Sequence, residues 1–152
     1  MFEIGRFEEI VGRIYRKLEG YSDIRLVTSP EEDWSIIELV SHLIDSASNN
    51  HQRFIRLQYE KVLRFPGYDA ETWRDISKMK QADYAQLIEL WRLYNRYVIE
   101  LIKRINPATL DNYWIKDEKR LTLRFLVDDY FDHLLWHERL FDEIERHARE
   151  DA

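Results

Sequence analysis

Apolar side chains recur every three to four residues along four long segments, and almost nothing in the chain interrupts them. Only four glycines and three prolines are spread over 152 residues, so there are few breakers and long helices are favoured. The first segment runs from about Phe2 to Leu18, with Ile4, Phe7, Ile10, Val11, Ile14, Tyr15 and Leu18 on one stripe. The second opens at Trp34-Ser35 and is expected to reach about Leu63, where Phe65-Pro66-Gly67 stops it. Ser35 and Glu38 fit a capping box, in which hydroxyl and carboxylate each satisfy a free backbone N–H, and Trp34 is placed to staple against Leu39. The third segment covers about Ala82 to Ile105 and the fourth about Thr122 to Arg149, with Thr122 as its N-cap.

Two stretches fall outside these stripes. Arg64 to about Gln81 is a long crossover, with a short helical turn expected at Asp69-Ala-Glu-Thr-Trp73. A bundle with one long connection need not be simple up-down-up-down. Tyr113 to Leu123 carries β-branched and aromatic residues around a charged centre, which suggests an extended loop or small hairpin. The fold class is all-α, a four-helix bundle with a long crossover between helices two and three. Residues 1–152 are expected to form a single domain of this kind.

Composition narrows the chemistry. The chain has no cysteine, which excludes disulfides, thiol catalysis and thiolate ligands. The net charge is −6 without a basic block, so nothing points to nucleic acid. No apolar run approaches the ~18 residues of a membrane span, and the charged N-terminus lacks the core of a signal peptide. A cytoplasmic location is the expectation. Exposed aromatic positions on helices one and three would allow a homodimer.

His133-Leu-Leu-Trp-His137 is the segment with chemistry in it. Two histidines four apart on a helix point the same way, one turn above the other, and both can reach one metal ion. They lie within the apolar stripe of the last helix, where ring nitrogens need partners. Simple core hydrogen bonding is the competing explanation. His42 sits on a small polar side of helix two with Ser35, Glu38, Ser46 and Asn49, which periodicity alone leaves facing solvent. Glu38 and Asp45 on that side are further candidates for a third ligand. His51, roughly 180° around the helix from His42, and His147 read as surface residues. Trp136 is expected to point to another side of the last helix. Asp129, Asp132 and Glu138 are near enough in sequence to support the ring nitrogens.

The order and spacing of three motifs resemble the DinB/YfiT-like superfamily of bacterial four-helix-bundle metalloproteins. Asp33-Trp-Ser-Ile-Ile-Glu-Leu-Val-Ser-His42-Leu-Ile-Asp-Ser46, with Arg53-Phe54 following, is similar to the family's second helix. Tyr68-Asp69-Ala-Glu-Thr-Trp73 resembles its crossover, and Leu121-Thr-Leu123 with Tyr130-Phe-Asp-His133-Leu-Leu-Trp-His137 resembles its last helix. The resemblance implies a divalent metal, typically zinc or nickel, held by His42, His133 and His137. Members of the family often carry further histidines around these motifs, and the nearby positions here are Ser41, Ala47, Trp136 and Leu140. Such a site with an open position would activate water for hydrolysis or bind a low-molecular-weight thiol for S-transfer, on a small-molecule substrate. The competing expectation is a non-catalytic metal-binding or stress-response protein, whose site is closed by Glu38 or Asp45.

Overall fold

The structure, a computed structural model, describes residues 2–150. Four long helices carry the apolar stripes: α1 (Ile4–Glu19), α2 (Ile36–Arg56), α4 (Tyr84–Lys103) and α5 (Leu123–Glu150). A shorter α3 (Ala70–Ser77) lies in the crossover. Strands β1 (Val62–Leu63), β2 (Tyr113–Lys116) and β3 (Lys119–Thr122) make a small sheet in that order, β1 parallel to β2 and β2 antiparallel to β3.

The main helix contacts run α1 to α4, α4 to α2, α2 to α5 and α5 back to α1. Helices adjacent in the chain, α1 with α2 and α4 with α5, therefore occupy opposite corners. Up-down-up-down bundles place them side by side. The long connections make this possible, and they make α2 and α5 neighbours. Inside the bundle the Phe7 and Phe131 rings stack at 3.8 Å, beside fully buried Trp91, Phe54 and Ile36. Part of the core's polar complement is paired: Tyr130 donates to Asn95 Oδ1 at 2.6 Å, and Asn95 Nδ2 donates to the Trp91 carbonyl. Among the described residues no helix is long and apolar enough to cross a membrane.

The helix starts follow their capping residues. Ser35 accepts from Glu38 N while the Glu38 carboxylate accepts from Ser35 N, which completes the capping box. Asp69 caps α3, Asp83 caps α4, and Thr122 accepts from Phe125 N at the start of α5. Trp34 is half-buried, with its ring edge-on to His42 at 5.6 Å between centroids.

One element differs from the sequence expectation, and two expected ones take definite form. Helix two ends at Arg56 rather than Leu63. Gln58 donates to the Phe54 carbonyl and Asn112 to the Leu57 carbonyl, so terminal acceptors are satisfied by side chains and the chain is released to pair as β1. The crossover turn is a two-turn helix, α3, ended by Lys78 in the left-handed conformation at φ 54°. Residues 113–122 form a true hairpin. Its turn is Asp117-Glu118, both at positive φ (48° and 69°), as a two-residue turn of the primed type requires. Of the aromatics on the first and third long helices, Tyr97 on α4 is exposed, while Phe7 and Tyr15, on the apolar stripe of α1, are buried and half-buried.

Candidate metal centre

His42 from α2 meets His133 and His137 from α5. Ring centroids are 4.6 Å apart for His133–His137, 5.1 Å for His42–His137 and 6.1 Å for His42–His133. One donor nitrogen from each lies within 4.8 Å of the others, and no fourth ligand type among the described residues joins the group. The i, i+4 spacing sets the His133–His137 pair. The adjacency of α2 and α5 supplies the third ring.

The three differ in depth. His137 is 3% exposed, His42 is half-buried and His133 stands at the open edge. Both ring nitrogens of His137 and Nδ1 of His42 are buried without a hydrogen-bond partner. Burial, together with the like-charged His133 and His42 rings, pushes the His137 pKa down to about 2. Burial and His133 bring that of His42 to about 4. His133 is also lowered by desolvation, with Asp129 acting in the opposite direction. All three are therefore neutral near pH 7 and offer lone pairs. Buried polar atoms without partners are rare and costly, and simple core hydrogen bonding of this pair is not what the structure shows. A borderline divalent cation fits this donor set: it takes one nitrogen from each ring and suits neutral imidazole.

Periodicity alone places His42 outside, and the structure turns that face inward. Trp34, just before α2, and Tyr68 of the crossover cover it, lying against the His42 ring (5.6 and 6.4 Å), and the crossover's Arg74 guanidinium caps Trp34 at 4.5 Å. Glu38 is committed to the capping box and is 8% exposed. Asp45 stays apart from the cluster, and burial raises its pKa to about 6. His51 is half-buried rather than on the surface, with Nδ1 2.8 Å from the Tyr94 hydroxyl. His147 is exposed and lies outside the cluster. Trp136 does not turn away from the pair: its ring lies 6.1 Å from His133 and 4.9 Å from His137. Helical side chains lean back over the preceding turn, and the long indole reaches that far. Of the neighbouring carboxylates, Glu138 binds Arg13 and Lys17, Asp132 lies near Arg6, and Asp129 acts on His133.

A cleft of about 690 Å³ opens beside the cluster, and its walls include His42, His133, Asp129, Tyr68, Arg53 and Trp114. Arg53, Tyr68 and Trp114 carry no helical-stripe signal that marks them as cleft residues. A helical rule would have found one of them. Arg53 is eleven residues after His42, about three turns plus 20°, so both point to the same side of α2.

The family model of the DinB superfamily matches residues 10–140. A protein of Bacillus subtilis (strain 168), named "Putative metal-dependent hydrolase YfiT", is 27% identical over 143 residues, spanning 91% of this chain and 80% of its own length. One of Bacillus mycoides (strain KBAB4), named "Putative metal-dependent hydrolase BcerKBAB4_2443", is 30% identical over 78 residues, 51% of this chain and 44% of its own. The solved structure described as "YfiT from Bacillus subtilis is a probable metal-dependent hydrolase with an unusual four-helix bundle topology" matches 97% of this chain and 90% of that one. Its TM-score is 0.82 at 18% identity, a likeness of fold.

Proposed function

The chain belongs to the DinB superfamily, and from that premise we propose that it is a divalent-metal-dependent enzyme that hydrolyses a small molecule, with His42, His133 and His137 as the metal ligands. The observation that carries this reading is the set of orphaned nitrogens on His42 and His137, clustered with His133 within 4.8 Å beside a cleft that His42 and His133 line. Two relatives whose names say metal-dependent hydrolase support it. Zinc or nickel is the metal proposed, since imidazole suits both.

His42, His133 and His137 would hold the ion as neutral imidazoles, and the chemistry supplied would be Lewis-acid activation of a water or thiol. The chain's own residues do the rest. His137 and His42 are held neutral by burial, so they remain donors well below pH 7. Asp129 acts electrostatically on His133 from the cleft wall. Trp34 and Tyr68 pack against the His42 ring and limit water there. Because Glu38 is engaged in the cap, it does not close the open position.

The same position can take a thiol. With no cysteine in the chain, the thiol would be a low-molecular-weight co-substrate, and S-transfer would replace hydrolysis. Metal-loaded protein assayed on chromogenic esters, amides and thiol–electrophile pairs separates the two. Turnover that needs metal and no thiol supports hydrolysis, and turnover only with thiol supports transfer. Activity that survives His133→Ala would contradict both. For the oligomeric state we propose a homodimer through α4, where Leu90, Leu93 and Tyr97 are exposed.

A further inference from the structure

Arg53 is the least expected charge in the molecule. It is 5% exposed, and its Nε is buried with no hydrogen-bond partner. Its contacts are one long bond from Nη1 to Asn50 Oδ1 at 3.5 Å, the Trp114 ring at 3.9 Å and the Phe65 ring at 6.0 Å. No carboxylate of the described residues forms an ion pair with it. A guanidinium stays protonated in proteins, and a buried charge without a counter-ion is costly. Trp114 is fixed in turn, its indole N–H donating to the Phe65 carbonyl at 2.8 Å. Arg53 and His42 line the same cleft, on the same side of α2.

We propose that the cleft takes a small molecule bearing a carboxylate, and that the Arg53 guanidinium, with Asn50 beside it, receives that carboxylate. This names the substrate class of the site described above and rests on the cleft being the substrate site. The carboxylate contact itself needs no metal. A planar guanidinium matches a carboxylate with paired N–H donors. Asp69, Asp117 and Asp129 also line the cleft, all exposed, with Lys116 as the other cation. Water screens those surface charges, while Arg53 acts in a low-dielectric wall where its attraction is strongest. The surplus of acidic groups favours a singly charged carboxylate over a doubly charged phosphate. Eleven residues put the Cα atoms of His42 and Arg53 roughly 16 Å apart along α2. Even after both side chains reach inward, the carboxylate stays remote from the histidine cluster. Trp114, Leu121 and Leu126 add apolar surface to a lining that also carries Ser46 and Asn50, and that surface suits a hydrocarbon or aromatic body.

The test is calorimetric titration of chelator-treated protein with 4-phenylbutyrate, its neutral amide and inorganic phosphate at fixed ionic strength. The acid should bind at least about tenfold more tightly than the amide, as a buried charge-assisted pair predicts, and more tightly than phosphate. Arg53→Met should bring acid and amide within about threefold of each other, and Arg53→Lys should recover part of the difference. Metal content of Arg53→Met should match the parent, which separates this proposal from the metal assignment. In the unsubstituted protein the Arg53 Nε–H resonance, identified by its loss in Arg53→Lys, should move with the acid and not with the amide. That readout stands even if Arg53→Met does not fold. Equal binding of acid and amide, tighter binding of phosphate, or a stationary Arg53 resonance would overturn the proposal.

Discussion

His42 and His137 face each other across the α2–α5 seam with ring centroids 5.1 Å apart, and each has a buried nitrogen without a partner. Two imidazoles so placed make no complete hydrogen-bonded arrangement of their own. A cation between them and His133 would satisfy one nitrogen on each ring. The fold's corner arrangement brings this about, since only adjacency of α2 and α5 sets His42 against the pair on α5.

Acid should destabilise the metal-free protein through these rings. Their folded-state pKa values lie below the ordinary 6.5, at about 4 for His42 and about 2 for His137. The unfolded chain thus binds protons that the folded one refuses as pH falls below 6.5. The stability is whole above that value and is lost progressively toward pH 4 for His42 and toward about pH 2 for His137. Asp45, raised to about 6 by burial, works in the opposite direction between that value and 3.8. Urea denaturation from pH 8 to 4.5 should therefore show a smaller acid loss in His137→Phe than in the parent. Equal slopes would refute the assignment of the acid loss to His137.

The tie between α1 and α5 should be structural only. Arg13 makes two bonds to Glu138, at 2.7 and 2.8 Å, and Lys17 lies 3.0 Å away. Hydrogen bonds to charged groups contribute about 1.5–3 kcal/mol. Both cations are about a third exposed, and screening reduces the expectation to about 1–2 kcal/mol. Glu138→Ala should lower unfolding free energy by that amount and leave metal content unchanged, although His137 is its neighbour in sequence. The Arg13 bond, with Lys17, lowers the Glu138 pKa. Its contribution is therefore present above the ordinary 4.5 and is lost as pH falls through the folded value.

The start of α2 should matter to His42 at a distance. Ser35 is fully buried, and its loss removes the cap from a helix whose second turn carries the ligand. Ser35→Ala should cost about 1–2 kcal/mol and weaken metal binding modestly, by shifting the first turns of α2. Measured affinity for zinc equal to the parent's, together with that stability loss, would show that the cap acts on folding alone.

The sequence is most readable where one physical rule decides. The four stripes are the four long helices because burial at a 3.6-residue period has no competing interpretation in a chain with so few breakers. Ser35 with Glu38, and Thr122, are visible because capping is local. The hairpin is half-visible: its strands are β-branched and aromatic, but the turn uses Asp117-Glu118 at positive φ where glycine or asparagine would have signalled it. The end of α2 is hidden because Asn112, 55 residues on, captures the Leu57 carbonyl. His42 lies on a polar stripe that Trp34 and the crossover's Tyr68 cover, and no periodicity within α2 reports what other segments cover. In the sequence, only the family resemblance points His42 inward.

The central claim is tested most directly by elemental analysis of purified, metal-reconstituted protein alongside His42→Ala, His133→Ala and His137→Ala. The account predicts one divalent ion per chain in the parent and near none in each variant, with the helical circular-dichroism signal retained. A parent that binds no metal, or a His133→Ala protein that holds as much as the parent, would contradict it.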